Sequence, residues 1–200
     1  GMKLVKSEAR TAAASPANVL ITGESGTGKE LFAQAIHNAS PRFAGPFVPI
    51  SCGGFSRETV DSILIGTEKN PGKFIQADGG TLFLDGISEM SQDMQSFLLR
   101  FLEDGIVTPI GSRRSVQTDV RVISAAGSEV LQKVKDGSFR LDLYYRLNVL
   151  RIDLPPLRER QADMQELSNY FVTLLSAGYG KNIFSVSAET VERFKANYWP

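Results

Sequence analysis

The stretch from 19 to 30, Val-Leu-Ile-Thr-Gly-Glu-Ser-Gly-Thr-Gly-Lys-Glu, constrains this chain more than any other. An apolar run ends in a glycine-rich loop, and Leu31, Phe32, Ala35 and Ile36 follow at helical spacing. Strand, loop and helix in that order, with G-x-x-x-x-G-K between them, make a phosphate cradle. The glycines let the backbone turn sharply and aim its N–H groups at phosphate oxygens. Lys29 adds a fixed positive charge, and a helix opening near Gly28 adds the partial charge of its N-terminus. The candidate nucleotide-binding residues are therefore Gly23, Glu24, Ser25, Gly26, Thr27, Gly28, Lys29 and Glu30. Glu30 departs from the general motif, where Ser or Thr offers Mg²⁺ a hydroxyl.

A second strand-like run, Thr81-Leu82-Phe83-Leu84-Asp85, is apolar throughout and ends in a carboxylate. Downstream of a phosphate loop, such a run places its Asp opposite the phosphates, so Asp85 is the candidate Mg²⁺ carboxylate. The next residue, Gly86, has no side chain and can neither take a proton nor polarise a water. Glu89 is the nearest alternative acid, one helical start beyond the strand end.

The remaining pattern alternates strands with helices. Strands are expected at 19–22, 47–50, 81–85, 120–125 and 148–154. Helices are expected over 2–14, 28–39, 56–64 (with Ser56 as cap), 91–103, 126–135 and 141–146. A small hairpin around Gly111 joins 106–110 to 115–117. Runs that are apolar at every position suit strands covered on both faces. The pattern predicts a doubly wound parallel sheet of five strands over residues 1–156, with nucleotide at the carboxyl ends of the strands. Pro155-Pro156 breaks the chain, and two amphipathic helices follow at 163–176 and 187–196. They read as the start of a helical subdomain over 157–200 that is cut short.

Composition narrows the function. The chain has 200 residues, 42% of them apolar, with 22 Lys and Arg against 22 Asp and Glu. A net charge of zero gives no global field to hold nucleic acid, so any DNA contact is expected from another domain. Cys52 and His37 are the only residues of their kinds, which excludes an internal disulfide and a cysteine-built zinc site. His37 falls on the helix after the phosphate loop, where packing or exposure is the expected role. No apolar run spans a membrane and no leader is visible, so the expected location is the cytoplasm.

Taken together, the motifs resemble the AAA+ domain of bacterial enhancer-binding transcription regulators, the NtrC-like sigma-54 interaction domain. The matching stretches are Gly23 to Glu30, Ala77-Asp78-Gly79-Gly80 with the run to Asp85, Asp119-Val120-Arg121-Val122-Ile123, Asp142-Leu143-Tyr144-Tyr145-Arg146-Leu147-Asn148 and Leu154-Pro155-Pro156-Leu157-Arg158-Glu159-Arg160. In that family Glu is usual at the position of Glu30. The resemblance implies an α/β core with a helical lid, ATP or ADP with Mg²⁺ as ligands, and self-association from dimer to hexameric ring. It also implies two arginines, Arg140 and Arg146, that reach a neighbouring subunit's phosphates. The alternative for each arginine is a pair with a surface acid.

The departures from the family are grouped by role. The Gly-Ala-Phe-Thr-Gly-Ala loop that touches sigma-54 is missing between Ile65 and Phe74. The catalytic Glu is Gly86, the Asn that restrains it is Ser51, and the sensor Asn is Gly127. The expected function is an ATP-binding, oligomerising regulatory domain of a transcription regulator that hydrolyses little or nothing. It would reach RNA polymerase by a route other than sigma-54. The competing expectation is an active ATPase that remodels sigma-54 polymerase.

Overall fold

The computed structural model describes residues 2–53, 60–181 and 183–199. Helix α1 (Met2–Ala14) is followed by β1 (Val19–Thr22), whose four residues are all buried. Helix α2 (Lys29–Asn38) begins directly after the glycine-rich loop. Strand β2 (Phe47–Ser51) leads to a π-helical turn at Val60–Ile65. Of the helix expected over 56–64, residues 56–59, with the expected cap at 56, lie outside the described residues, and 60–64 fall in that π-helical turn. Helix α3 (Lys73–Gln76) precedes β3 (Thr81–Asp85), and a 3₁₀ turn (Ile87–Glu89) precedes α4 (Gln92–Asp104). Ser91 caps α4 by accepting from the Met94 N–H, as its residue type favours. The expected hairpin is present in short form, β4 (Ile106–Val107) antiparallel to β5 (Val116–Gln117). Then come β6 (Arg121–Ala126), α5 (Val130–Lys135), α6 (Leu141–Leu147) and β7 (Leu150–Asp153).

Five strands form one parallel sheet in the order β2-β3-β6-β1-β7. Helices flank it, so the α/β expectation holds. Successive strand side chains point to opposite faces. Leu20, Leu82, Leu84 and Val122 join one cluster with Phe74, Leu98, Phe101 and Leu143. Their alternates Ile21, Phe83 and Ile123 are also buried, and α2 lies against β1, β3 and β6 with Ala33 and Ile36 buried. Phe74 sits between Phe97 and Phe101, with ring centroids 5.1 and 4.4 Å away in edge-on geometry. Burying a side chain of this size contributes roughly 1.5–3 kcal/mol.

The chain divides into two compact units. Residues 7–154 hold the sheet and everything described above except the first residues of α1. Residues 155–200, with 1–6, hold α7 (Met164–Gly178) and α8 (Ala188–Ala196). In that unit Ser187 caps α8, Arg158 lies 5.4 Å from the Tyr198 ring centre, and the Trp199 indole donates to the Phe194 carbonyl at 2.7 Å. Among the described residues no helix is long and apolar enough to cross a membrane.

Candidate functional site

The ends of β1 and β3 build the site. Backbone bonds from Gly23 N–H to Ala126 O and from Leu154 N–H to Thr22 O hold the β1 terminus between its neighbours. The Thr22 hydroxyl also donates to the Asp153 carboxylate. From there the chain turns through Gly26 and Gly28, at φ 77° and 95°, a region that side chains other than glycine rarely tolerate. A Cβ on either would meet no atom within 4 Å, so the loop faces open space. Gly23 is glycine for a different reason: a Cβ there would stand 2.9 Å from both Leu154 O and Thr27 Oγ1.

Gly28 is the N-cap of α2 and offers no side chain to cap it. The first N–H groups of the helix are therefore left for an acceptor from outside, together with the positive end of the helix dipole. Lys29 Nζ donates to the Gly23 and Glu24 carbonyls, each at 2.9 Å, which folds the ammonium back over the loop. Thr27 Oγ1 donates to Glu24 O at 2.8 Å and closes the turn.

A cleft of about 530 Å³ brings Ser25, Gly26, Gly28, Lys29 and Glu30 together with Asp85. Gly23, Glu24 and Thr27 shape the loop without lining the cleft. Asp85 ends β3 opposite Ser51 of β2, and its carbonyl accepts from the Cys52 N–H at 2.8 Å. The Cys52 thiol is pushed up from its ordinary value, by burial first and then by the charges of Asp85 and Glu89.

Arg140 and Arg146 stand apart from the cleft. Arg140 pairs with Asp142 at 2.7 Å, and that hydrogen bond raises the Arg140 value and lowers the Asp142 value. Arg146 pairs with Glu103 at 2.9 Å. Both pairs are roughly half exposed.

The far wall of the cleft holds two acids. Glu89 lies against Gly53 and Gly86. Glu129, which the motif reading did not single out, fills the space beside Gly127: a Cβ there would collide with its carboxylate. Ser88 Oγ donates to Glu129 Oε1 at 2.6 Å, and Lys133 Nζ donates to Ser88 O at 2.8 Å. Partial burial works against the charged form of Glu129, but the Ser88 hydroxyl, backbone N–H groups and Lys133 outweigh it and hold the carboxyl below its ordinary value. The only sequence signal for Glu129 was an acid at the opening of a helix, which by itself reads as a favourable dipole contact.

A parallel sheet in this order, with a glycine-rich loop between β1 and α2 and a carboxylate ending β3, defines an AAA+-type P-loop α/β domain. Within that class the chain belongs to the sigma-54 interaction domain family, whose model matches residues 1–153. It is 44% identical over 209 residues to the signal-transduction and transcriptional-control protein of Clostridium beijerinckii, covering all of this chain and 33% of that one. It is 43% identical over 191 residues to the DNA-binding transcriptional regulator NtrC of Rhizobium meliloti, covering 91% of this chain and 39% of that one. Among solved structures, NtrX from Brucella abortus in complex with ATP superposes at a TM-score of 0.90 with 32% identity, over 99% of this chain and 47% of that one. NtrX in complex with ADP gives a TM-score of 0.92. The chain thus spans between a third and a half of the length of these relatives.

Proposed function

We propose that this domain binds ATP or ADP with Mg²⁺ and uses the bound nucleotide to stabilise self-association within a bacterial transcription regulator. The observation that carries this reading is the uncapped start of α2 sharing one cleft with Lys29 and Asp85. Loop N–H groups and the Lys29 ammonium would grip the phosphates. Among the described residues no cluster of three or more His, Cys, Asp or Glu forms a metal centre, so Mg²⁺ would come with the phosphates, and Asp85 is its protein carboxylate. The ATP and ADP complexes of NtrX support the ligand class.

Turnover in this reading is slow. Gly86, Ser51 and Gly127 lack the carboxylate and amides that related domains use to orient water. Removing a positioned base costs about 10²–10⁴-fold. Arg140 and Arg146 act in trans on a neighbouring subunit. Their present pairs are surface contacts, screened by solvent and readily exchanged for a phosphate. In place of the sigma-54 loop, Gly66 bridges Pro71 and the Thr67 N–H donates to Asn70 O at 2.9 Å, closing a short turn. In this reading the domain serves RNA polymerase by a route other than sigma-54, in the cytoplasm. Its DNA contacts are made by another part of the protein, and residues 157–200 act as the helical lid.

The test is Lys29→Ala, read by fluorescent ATP binding and by sedimentation with and without nucleotide. A loss of affinity of about 10²-fold and loss of ATP-dependent assembly is expected. Unchanged affinity would sink the phosphate-loop assignment. One observation favours a second reading, an ATPase motor acting on sigma-54 polymerase: the Glu89 carboxylate stands in the cleft. Fast phosphate release at assembling concentrations would favour it.

A further inference from the structure

The space in front of Gly86 already holds a carboxylate. A Cβ placed on Gly86 would have Glu89 Oε1 3.7 Å away and the Glu89 carboxyl carbon 3.8 Å away. A glutamate sets its own carboxyl carbon two bonds from Cβ, about 2.5 Å at bond lengths of about 1.5 Å. Glu89 thus reaches, from the end of the 3₁₀ turn, the region that a longer side chain at position 86 would sweep.

Three further features fit a working carboxylate. It lines the same cleft as Lys29 and Asp85. No hydrogen bond or ion pair engages it among the described residues, in contrast to Glu129, which Ser88 holds. It also rests against the Cα of Gly53, where a Cβ would collide with Oε2 and lie 3.3 Å from the carboxyl carbon. Its place therefore depends on glycine at 53 as well as at 86.

Resting on the nucleotide reading above, we propose that Glu89 is the water-facing carboxylate of this domain and carries the turnover it retains. With ATP in the cleft, Glu89 accepts a hydrogen bond from the attacking water. The water oxygen bonds to the γ-phosphorus as the bond from that phosphorus to the bridging oxygen breaks, and the electron pair leaves on ADP. Glu89 takes the water proton and returns it to the released phosphate.

The experiment compares the parent chain with Glu89→Gln and Gly53→Ala, measuring ATP affinity, ADP affinity and phosphate release. Glu89→Gln removes a negative charge that repels the terminal phosphate, so ATP binding tightens about three- to tenfold relative to ADP. Phosphate release falls at least about 30-fold. Gly53→Ala displaces the carboxylate and lowers release while ADP affinity is kept, which also shows that the variant is folded. ATP binding by the parent with no release, or an ATP-to-ADP ratio and release that Glu89→Gln leaves unmoved, overturns the role of Glu89 alone. Failure of the parent to bind either nucleotide overturns the nucleotide reading and this inference with it.

Discussion

The Ser88 hydroxyl donates to the Glu129 carboxylate at 2.6 Å and ties the turn after β3 to the opening of α5. Lys133, one turn further along α5, donates back to the Ser88 carbonyl. The far wall of the cleft is thus held by a side chain and a backbone group of one residue. Removing the hydroxyl with Ser88→Ala leaves Glu129 exposed enough to recruit water. The cost is accordingly modest, roughly 0.5–1 kcal/mol at neutral pH after allowing for solvent screening. The sign of its pH dependence follows from the direction of the Glu129 shift. A carboxyl held below its ordinary value of 4.5 in the folded state adds stability above that value and loses it as the pH falls through the folded value. Urea unfolding of parent and variant should therefore differ at neutral pH and converge in acid. A gap that persists once Glu129 is protonated would mean that the hydroxyl acts through some other partner.

Gly80 precedes β3 where the backbone of Pro46 crosses it. A Cβ on Gly80 would collide with Pro46 O and stand 2.7 Å from both Pro46 N and Cδ. The same crossing carries the hydrogen bond from Thr81 N–H to Pro46 O at 2.8 Å, which starts the β2–β3 pairing. Neither backbone can yield without breaking that ladder. Gly80→Ala should cost roughly 2–4 kcal/mol, since overpacking here moves main chain rather than a flexible side chain. Thermal unfolding measures it, and a loss under about 0.5 kcal/mol would show that the crossing relaxes freely.

The parts of the fold that were legible in the sequence are those where one physical demand acts alone. Strands β3 and β6 are covered on both faces, so between Thr81 and Asp85 and after Arg121 every position is apolar or small, and the runs stand out. Strand β7 was expected from 148 but begins at Leu150, because Asn148 is still engaged as the C-cap of α6: its N–H donates to Tyr144 O at 2.8 Å. The phosphate loop was legible because backbone conformation itself demands glycine at 26 and 28. The far wall was legible only as the place of Glu89 in the chain, and Glu129 was not. Whether Glu89 and Glu129 point into the cleft depends on the bare Cα atoms of Gly53, Gly86 and Gly127, and periodicity carries no information about that. Arg146 likewise finds Glu103 across 43 residues of chain, a meeting only the packing of α6 beside α4 decides.

His37 makes the last prediction, because it is the only histidine in the chain. It sits on α2 with 3% of its surface exposed, its Nδ1 2.9 Å from Thr81 Oγ1 and its ring 5.4 Å from that of Phe47. Burial lowers its value from the ordinary 6.5, against a backbone contact with Gly45 that raises it, and the Arg121 guanidinium lowers it further. The folded state therefore holds the imidazole neutral at a pH where the unfolded chain already binds a proton. Stability is fully present above 6.5 and declines as the pH falls from 6.5 through the folded value. His37→Asn keeps a polar partner for Thr81 and removes the titration. It should be less stable by about 1–2 kcal/mol at neutral pH through lost packing, and flat with pH between the histidine and carboxylate ranges. The two unfolding curves then approach each other as the pH drops from 6.5. With no second histidine to share the effect, a parent whose stability stays level across that interval would show that the ring gains a proton without leaving its place between α2 and β3.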